Sequence, residues 1–227
     1  MTARFILAIS TSSGVAKVAA VSQEGAELFS FDIVDYKSQS AQLLPLIQQH
    51  MQKANVDPSL CAAIAVDIGP GGFTSLRTAC GIAQGLAVGW SVPTVPLTSF
   101  ECMLPALMQA EPITVLMDAR LNEIYAAKVH RTGQGTQWDL PPYLLPITEL
   151  QNVSGLAVCD AHLHPQFPVP RAGVFLGAVS AVRLAQLAWQ EFEAGRVSAP
   201  FDCQPLYVRD KVAQTTSERQ ALKHGAF

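Results

Sequence analysis

The chain has 227 residues, of which 49% are hydrophobic and only 15% are charged, and its net charge is −3. This length suits one large domain or two small domains with a buried core. The acidic balance excludes avid, unaided binding to nucleic acid, because such binding needs a basic surface.

The cysteines and the N-terminus both point to a cytoplasmic protein. The five cysteines are scattered and contain no CxxC pair, a pattern typical of reduced core thiols in a cytosolic chain. The N-terminus lacks the basic flank and long apolar core of a signal peptide. No apolar run is long enough to cross a bilayer, so we expect no membrane segment.

The first half of the chain alternates between apolar strands and two helices. The hairpin formed by the first two strands has a hydroxyl-rich turn, Ser10-Thr-Ser-Ser-Gly14. The first helix is predicted over 38–54, where Pro45 favours a late start or a kink. The second helix is predicted over 73–89. The predicted strands are 5–9, 15–21, 28–34, 62–66 and 92–95.

A glycine-rich run, Asp67-Ile-Gly-Pro-Gly-Gly-Phe-Thr-Ser-Leu-Arg77, connects a buried strand to the second helix. Such a connection offers backbone N–H groups to an anion, but it also makes a tight structural turn, and both interpretations stay open. The Lys-Ser/Thr pair of a Walker A loop is absent. The candidate anion-binding or nucleotide-binding residues are Ser10, Thr11, Ser12, Gly69, Gly71, Gly72 and Arg77.

The second helix carries an unusual ladder of glycines. Gly81, Gly85 and Gly89 recur at every fourth position and cost roughly 2–3 kcal/mol of helix propensity relative to alanine. A fold tolerates this cost where another backbone approaches closely. That backbone belongs either to the chain's own sheet or to a helix of a second subunit.

The second half repeats the pattern of the first. Strands are predicted over 113–117, 123–129 and 156–160, a helix over 174–195, and a loop over 133–150. The two hairpins superpose at an offset of 108 residues, which pairs Ser10 with Asp118 and Val21 with Val129. This internal repeat predicts a duplicated α/β architecture. We expect an N-terminal domain over 1–105, a C-terminal domain over 106–212 and a polar, poorly ordered tail over 213–227.

Candidate chemistry is sparse. Ser10 lies at the end of the first strand, where actin-like kinases carry a carboxylate, and a hydroxyl cannot replace the charge of a magnesium ligand. Asp118 and Arg120 favour a local ion pair that fixes the hairpin over a catalytic role. His162 and His164 lack the spacing of a metal site. We therefore expect no catalytic residue, no metal and no cofactor.

Six motifs follow one another along the chain. They are Ile6-Leu-Ala-Ile-Ser-Thr-Ser12, Ser40-Ala-Gln-Leu-Leu-Pro-Leu46, the run from Ala65 to Arg77, Gly81-Ile-Ala-Gln-Gly-Leu-Ala87, Asp118-Ala-Arg-Leu-Asn-Glu-Ile-Tyr125 and Pro205-Leu-Tyr-Val-Arg-Asp210. This ordered set resembles the TsaB (YeaZ) family. The resemblance implies an α/β fold of the duplicated actin-like type (ribonuclease H-like, ASKHA) with two domains.

The resemblance also implies a function. Family members take part in making N6-threonylcarbamoyladenosine beside the anticodon of tRNAs that read codons starting with A. They are non-catalytic partners of a TsaD-type transferase, and a TsaE-type ATPase joins the complex. They contact tRNA only indirectly, through the complex. In the absence of the other subunits they form homodimers through the first two helices. The implied partner-interface residues here are Leu43, Leu46, Ile47, Leu76, Arg77, Gly81 and Gly85.

Two departures from the family pattern bear on the alternatives. Relatives often have Asp where this chain has Ser10, and a His near Lys37 and Ser38 is missing. Both changes move the chain away from nucleotide or metal chemistry. An actin-like ATPase or phosphotransferase that uses the cleft between the halves remains an alternative. A glycoprotease-like peptidase is a weaker one, because no nucleophile motif is present.

Overall fold

The computed structural model describes residues 3–35, 37–104, 111–132, 135–167 and 173–209. The predicted tail over 213–227 and the predicted domain boundary at 105/106 lie outside these residues. The helices are α1 (Gln39–Lys53), α2 (Phe73–Trp90), α3 (Ser99–Met103) and α4 (Ala181–Glu193). The strands are β1 (Phe5–Ser10), β2 (Ala16–Ser22), β3 (Glu27–Ile33), β4 (Cys61–Asp67), β5 (Thr94–Leu97), β6 (Ile113–Arg120), β7 (Glu123–Thr132), β8 (Gly135–Pro146), β9 (Ala157–Cys159) and β10 (Val174–Leu176).

The two halves of the chain build sheets of the same topology. The first sheet has the order β3-β2-β1-β4-β5, and the second has the order β10-β9-β6-β7-β8. Read from its other end, the second sheet also runs third, second, first, fourth and fifth strand of its half. In both halves the first three strands are antiparallel and the fourth is parallel to the first. The predicted duplicated, actin-like α/β fold is confirmed.

Helices cover both faces of the first sheet, which explains why β1 and β4 are buried throughout and apolar up to their last residues, Ser10 and Asp67. On one face, α1 and α2 share a core cluster with the strands. On the other face, α4 packs against β1 and β2 and joins a cluster that continues into the second sheet. Trp189 of α4 donates its Nε1–H to the carbonyl of Val21 at 3.0 Å. The C-terminal half is thereby anchored on the N-terminal sheet.

The prediction of a loop over 133–150 is wrong, because β8 (Gly135–Pro146) lies in this range and pairs with β7 at the edge of the second sheet. An edge strand tolerates proline, since its outer N–H groups need no partner in the sheet. The register shifts between the pairs Ala126–Tyr143 and Lys128–Leu140, and this irregularity accommodates Pro141 and Pro142. The prolines therefore mark an irregular edge rather than a loop.

One helix prediction also needs correction, and the structure decides an alternative that was left open for another. The helix predicted over 174–195 begins only at Ala181, where Ser180 accepts a hydrogen bond from the backbone N–H of Arg183, and 174–176 form β10. The first helix, predicted over 38–54, runs from Gln39 to Lys53 with Pro45 inside it, so the late start that Pro45 left open is excluded. Among the described residues, no helix has the length and apolar character needed to span a bilayer.

Candidate functional site

The carboxylate of Asp67 lies fully buried at the end of β4, where three segments of the first half meet. One oxygen accepts hydrogen bonds from the hydroxyls of Ser10, at 2.7 Å, and Ser12. The other accepts from the Ser99 hydroxyl at 2.7 Å and from the backbone N–H of Gly69 at 2.9 Å. Burial raises the pKa of Asp67, and these four donors oppose that rise. This network ties the hairpin turn, the glycine loop and α3 together.

Two glycines allow the glycine loop to pack against the hairpin turn. Gly69 has a φ of +105°, in a region that other residues rarely adopt. A Cβ atom on Gly71 would lie 2.7 Å from the carbonyl oxygen of Ser12, so a larger residue would push the two turns apart. The glycines at these positions therefore have a structural reason that needs no bound anion.

The hydroxyls predicted to bind an anion already have acceptors inside the protein. Ser10 and Ser12 donate to Asp67, and Thr11 donates to the carbonyl of Ser75 at 2.7 Å. Each hydroxyl has a single hydrogen to donate. Of the other candidates, Gly72 and Arg77 are exposed. Anion binding at these loops stays a prediction, and it would depend on backbone N–H groups and Arg77.

Three residues of the predicted partner interface need correction. Leu43, Ile47 and Leu76 are at most 2% exposed. Leu43 and Ile47 belong to the core cluster that α1 shares with the strands, and Leu76 packs beside Gly69 of the glycine loop. A buried side chain cannot contact a partner unless the core opens. Leu46 is half-buried, whereas Arg77, Gly81 and Gly85 are exposed on the outer side of α2. The part of the interface prediction that remains is the outer side of α2.

The glycine ladder faces away from the chain's own sheet. A Cβ atom built on Gly81, Gly85 or Gly89 would have no heavy atom of the described residues within 4 Å. The sheet side of α2 is formed instead by Ala79, Ala83 and Ala87, which are fully buried. The interpretation that this ladder accommodates the chain's own sheet is therefore wrong. We call the outer surface formed by Gly81, Gly85, Val88 and Gly89 the glycine face.

An aromatic cluster lies next to the glycine face, at the start of α2. The guanidinium of Arg77 lies 3.9 Å from the centroid of the Phe73 ring, and its Nε–H donates to the hydroxyl of Tyr207 at 2.8 Å. The rings of Phe73 and Tyr207 are 5.2 Å apart. Sequence reasoning missed both aromatic residues, although Tyr207 belongs to the C-terminal motif that carried the family resemblance.

That C-terminal motif belongs to an extended segment, residues 203–209, which we call the strap. The side-chain amide of Gln84, on α2, donates to the backbone carbonyl of Cys203 at 2.8 Å. The backbone N–H of Leu206 donates to the backbone carbonyl of Ile68, also at 2.8 Å. At its far end, Arg209 donates to the carbonyl of Ala119 at 3.0 Å and contacts the carboxylate of Glu123. The strap thus connects α2 to the β6–β7 hairpin of the second half.

A cleft of about 510 Å³ lies between the halves and is bordered by the strap. Its carboxylates are already engaged. Asp118 pairs with Arg120 at 3.2 Å, which confirms the predicted local ion pair. Asp160 accepts the backbone N–H groups of Asp118, at 2.6 Å, and of His162, at 2.9 Å. In the part of the chain that the structure describes, no group of three or more His, Cys, Asp or Glu side chains is arranged to hold a metal.

Comparison with known proteins identifies the family. A family model described as "TsaD: tRNA N6-adenosine threonylcarbamoyltransferase" matches residues 36–215. The chain belongs to this family. Two curated relatives are both named "tRNA threonylcarbamoyladenosine biosynthesis protein TsaB". The protein of Haemophilus influenzae is 27% identical over 91% of this chain and 94% of its own length, and that of Escherichia coli is 28% identical over 92% and 96%. The predicted membership of the TsaB (YeaZ) group is confirmed.

Solved structures agree on the fold. A Pseudomonas aeruginosa protein described as similar to peptidase YEAZ has a TM-score of 0.75 at 23% identity, and the match covers 90% of this chain and 99% of that one. YeaZ from Pseudomonas aeruginosa has a TM-score of 0.73 at 22% identity, with coverages of 89% and 99%. At these identities the likeness establishes a shared fold and nothing about activity.

Proposed function

We propose that the chain takes part in forming N6-threonylcarbamoyladenosine in tRNA, as a non-catalytic subunit that binds and activates a TsaD-type transferase. Family membership and the names of the curated relatives support the pathway. The observation that carries the subunit role is the exposed glycine face, where Gly81, Gly85 and Gly89 leave the backbone of α2 uncovered. The tRNAs expected are those that read codons starting with A.

The glycine face suits contact with a helix of another subunit. Glycine inside a helix costs roughly 1 kcal/mol per residue relative to alanine, and among the residues that the structure describes no contact at these glycines offsets that cost. Without side chains, two helices approach more closely than the usual 8–10 Å between axes and gain contact along their backbones. A second copy of this chain would use the same surface, so we expect the homodimer and the transferase complex to exclude each other.

The geometry of the carboxylates supports a non-catalytic role. An actin-like phosphotransferase needs carboxylates that reach a magnesium ion. Asp67 is fully buried and accepts four hydrogen bonds, Asp118 is paired with Arg120, and Asp160 accepts backbone N–H groups. Recruiting any of them to a metal would break contacts that fix the fold. The phosphotransferase alternative therefore has weaker support than the subunit role.

The remaining partners follow from the same proposal. We expect a TsaE-type ATPase to join the complex and tRNA to be held mainly by the other subunits, because this chain carries a net charge of −3. A cytoplasmic location fits a protein that acts on tRNA. The cleft between the halves needs no nucleotide of its own in this proposal.

Complex formation tests the proposal directly. We expect the purified chain to form a heterodimer with a TsaD-type subunit by size-exclusion chromatography with light scattering, and Gly85→Leu to weaken that heterodimer. Thr148→Leu is the matched control, because it adds the same side chain at an exposed position of the second half. A wild-type chain that does not bind, or a Gly85→Leu variant that binds as tightly as Thr148→Leu, would refute the proposed interface.

A further inference from the structure

The aromatic cluster at the start of α2 lies in one row with the glycine face. Phe73, Arg77, Gly81, Gly85 and Gly89 recur at every fourth position of the helix, and residues at this spacing lie above one another on one side. The row therefore begins with two large side chains and continues as a groove without side chains. A partner helix that packs into this groove passes next to the guanidinium of Arg77.

Three contacts hold the guanidinium of Arg77 in one position. It lies 3.9 Å from the centroid of the Phe73 ring and 5.9 Å from that of the Tyr207 ring. Its Nε–H also donates to the Tyr207 hydroxyl at 2.8 Å. An arginine that is free to move loses rotamer entropy when a partner orders it. Here the free chain already orders the side chain, so less entropy is lost on binding.

The two terminal nitrogen atoms of Arg77 are available to a partner. A guanidinium has five N–H groups, and the contact with Tyr207 uses the one on Nε. Among the residues that the structure describes, no carboxylate forms an ion pair with Arg77, whereas Arg120 and Arg209 each have one. Arg77 is also exposed. Its Nη atoms therefore keep four N–H groups in the planar arrangement that binds both oxygens of a carboxylate.

We propose that Arg77, positioned by Phe73 and Tyr207, binds a carboxylate of the TsaD-type subunit at the end of the glycine face. This inference rests on the proposed function and names the chemistry of its interface. A carboxylate is favoured over a phosphate of tRNA, because this chain has a net charge of −3. The rings of Phe73 and Tyr207 are 36% and 43% exposed, and their burial in the complex would exclude water from the ion pair.

Calorimetric titration with the TsaD-type subunit at several salt concentrations tests the inference. Arg77→Met keeps an apolar side chain against Phe73 but removes the charge and the N–H groups. We expect its Kd to be about tenfold higher than that of the wild type, or more, and to depend less on salt, because an ion pair is lost. Tyr207→Phe keeps the charge and the ring, so it should raise the Kd only about threefold and leave the salt dependence unchanged.

Arg4→Met is the matched control for Arg77→Met. Arg4 is also an exposed arginine next to an aromatic ring, since its guanidinium lies 5.4 Å from the ring centroid of Phe192. Phe192 belongs to α4, on the opposite face of the first sheet from α2. The control removes the same charge from the chain, so its Kd and salt dependence should equal those of the wild type.

Cross-linking of the complex identifies the group that the partner contributes. A water-soluble carbodiimide activates a carboxylate, and a nearby amine then displaces the carbodiimide as a urea and forms an amide bond. Arg77→Lys supplies such an amine at the proposed site. Peptide mapping by mass spectrometry should find position 77 joined to an aspartate or glutamate of the TsaD-type subunit, whereas Arg4→Lys should give no cross-link from position 4.

Three outcomes would overturn the inference. Binding that Gly85→Leu weakens but Arg77→Met leaves at the wild-type Kd would reject the role of Arg77 and retain the proposed function. A wild-type chain that does not bind the TsaD-type subunit would refute the proposed function and this inference together. If Arg77→Met weakened only the retention of tRNA by the assembled complex, Arg77 would bind a phosphate and not a carboxylate of the subunit.

Discussion

Alanine at Gly81 and Gly85 should make the free chain more stable. A Cβ atom at either position meets no heavy atom within 4 Å in the part of the chain that the structure describes, and neither glycine has a positive φ. Each substitution therefore gains helix propensity of about 0.8–1 kcal/mol without a steric cost. The double variant should gain about 2 kcal/mol, which corresponds to a rise in Tm of about 4–8 °C for a chain of this size.

Larger side chains at Gly81 and Gly85 should weaken binding to the partner without destabilising the free chain. Leucine has nearly the helix propensity of alanine, so Gly81→Leu with Gly85→Leu should leave the free chain at least as stable as the wild type. Its side chains would, however, separate the backbones that the glycine face brings together. We expect the Kd for the TsaD-type subunit to rise at least tenfold, which is about 1.4 kcal/mol.

Thermal unfolding and isothermal titration calorimetry on the same preparations measure both effects. Gly25→Ala is the matched control for stability, because Gly25 also has free space around it but has a φ of +86°, so alanine there should destabilise the fold by about 1 kcal/mol. A double alanine variant that is less stable than the wild type would show that the face is covered within the chain. A double leucine variant with wild-type affinity would place the partner elsewhere.

Three further predictions concern the buried network, the strap and the cleft. Asp67→Asn should lower the free energy of unfolding by about 3 kcal/mol in urea titrations, because an amide cannot accept all four hydrogen bonds; a loss below 1 kcal/mol would contradict this. Arg209→Ala should lower the free energy of unfolding by about 2 kcal/mol, since only 17% of the Arg209 side chain is exposed. Arg120→Ala is the control, because this side chain is 73% exposed and its loss should change the free energy of unfolding by less than about 0.5 kcal/mol. Equal losses for the two variants would contradict a structural role of the strap. The purified chain with magnesium should hydrolyse no ATP, and turnover abolished by Asp118→Ala would restore the phosphotransferase alternative.

The strands could be predicted from the sequence because their apolar runs are continuous. β1 and β4 are buried on both faces, so every residue contributes to the signal. The repeat between the two hairpins also predicted the duplicated topology. β8 could not be predicted, because Pro141 and Pro142 give the composition of a loop, and only the pairing with β7 reveals an irregular edge strand.

The candidate site was harder to predict because its contacts join distant parts of the chain. Asp67 accepts hydrogen bonds from Ser10, which is 57 positions away in the sequence, and from Ser99, which is 32 positions away. Leu43 and Ile47 lie on the apolar face of α1, and helical periodicity assigns that face to the chain's own core. The family resemblance implied that the two residues contact a partner, but the helical periodicity already indicated that they are buried in the core. The periodicity could not decide which way the glycines of α2 face, because glycine has no side chain.

Reconstituted tRNA modification tests the central claim most directly. A TsaD-type transferase, a TsaE-type ATPase and substrate tRNA are incubated with threonylcarbamoyl donor, with and without this chain, and the modified nucleoside is quantified by mass spectrometry. We predict modified adenosine only when the chain is present, and none when the chain alone is given tRNA and donor. Equal modification without the chain, or modification by the chain alone, would contradict the account of a non-catalytic activating subunit.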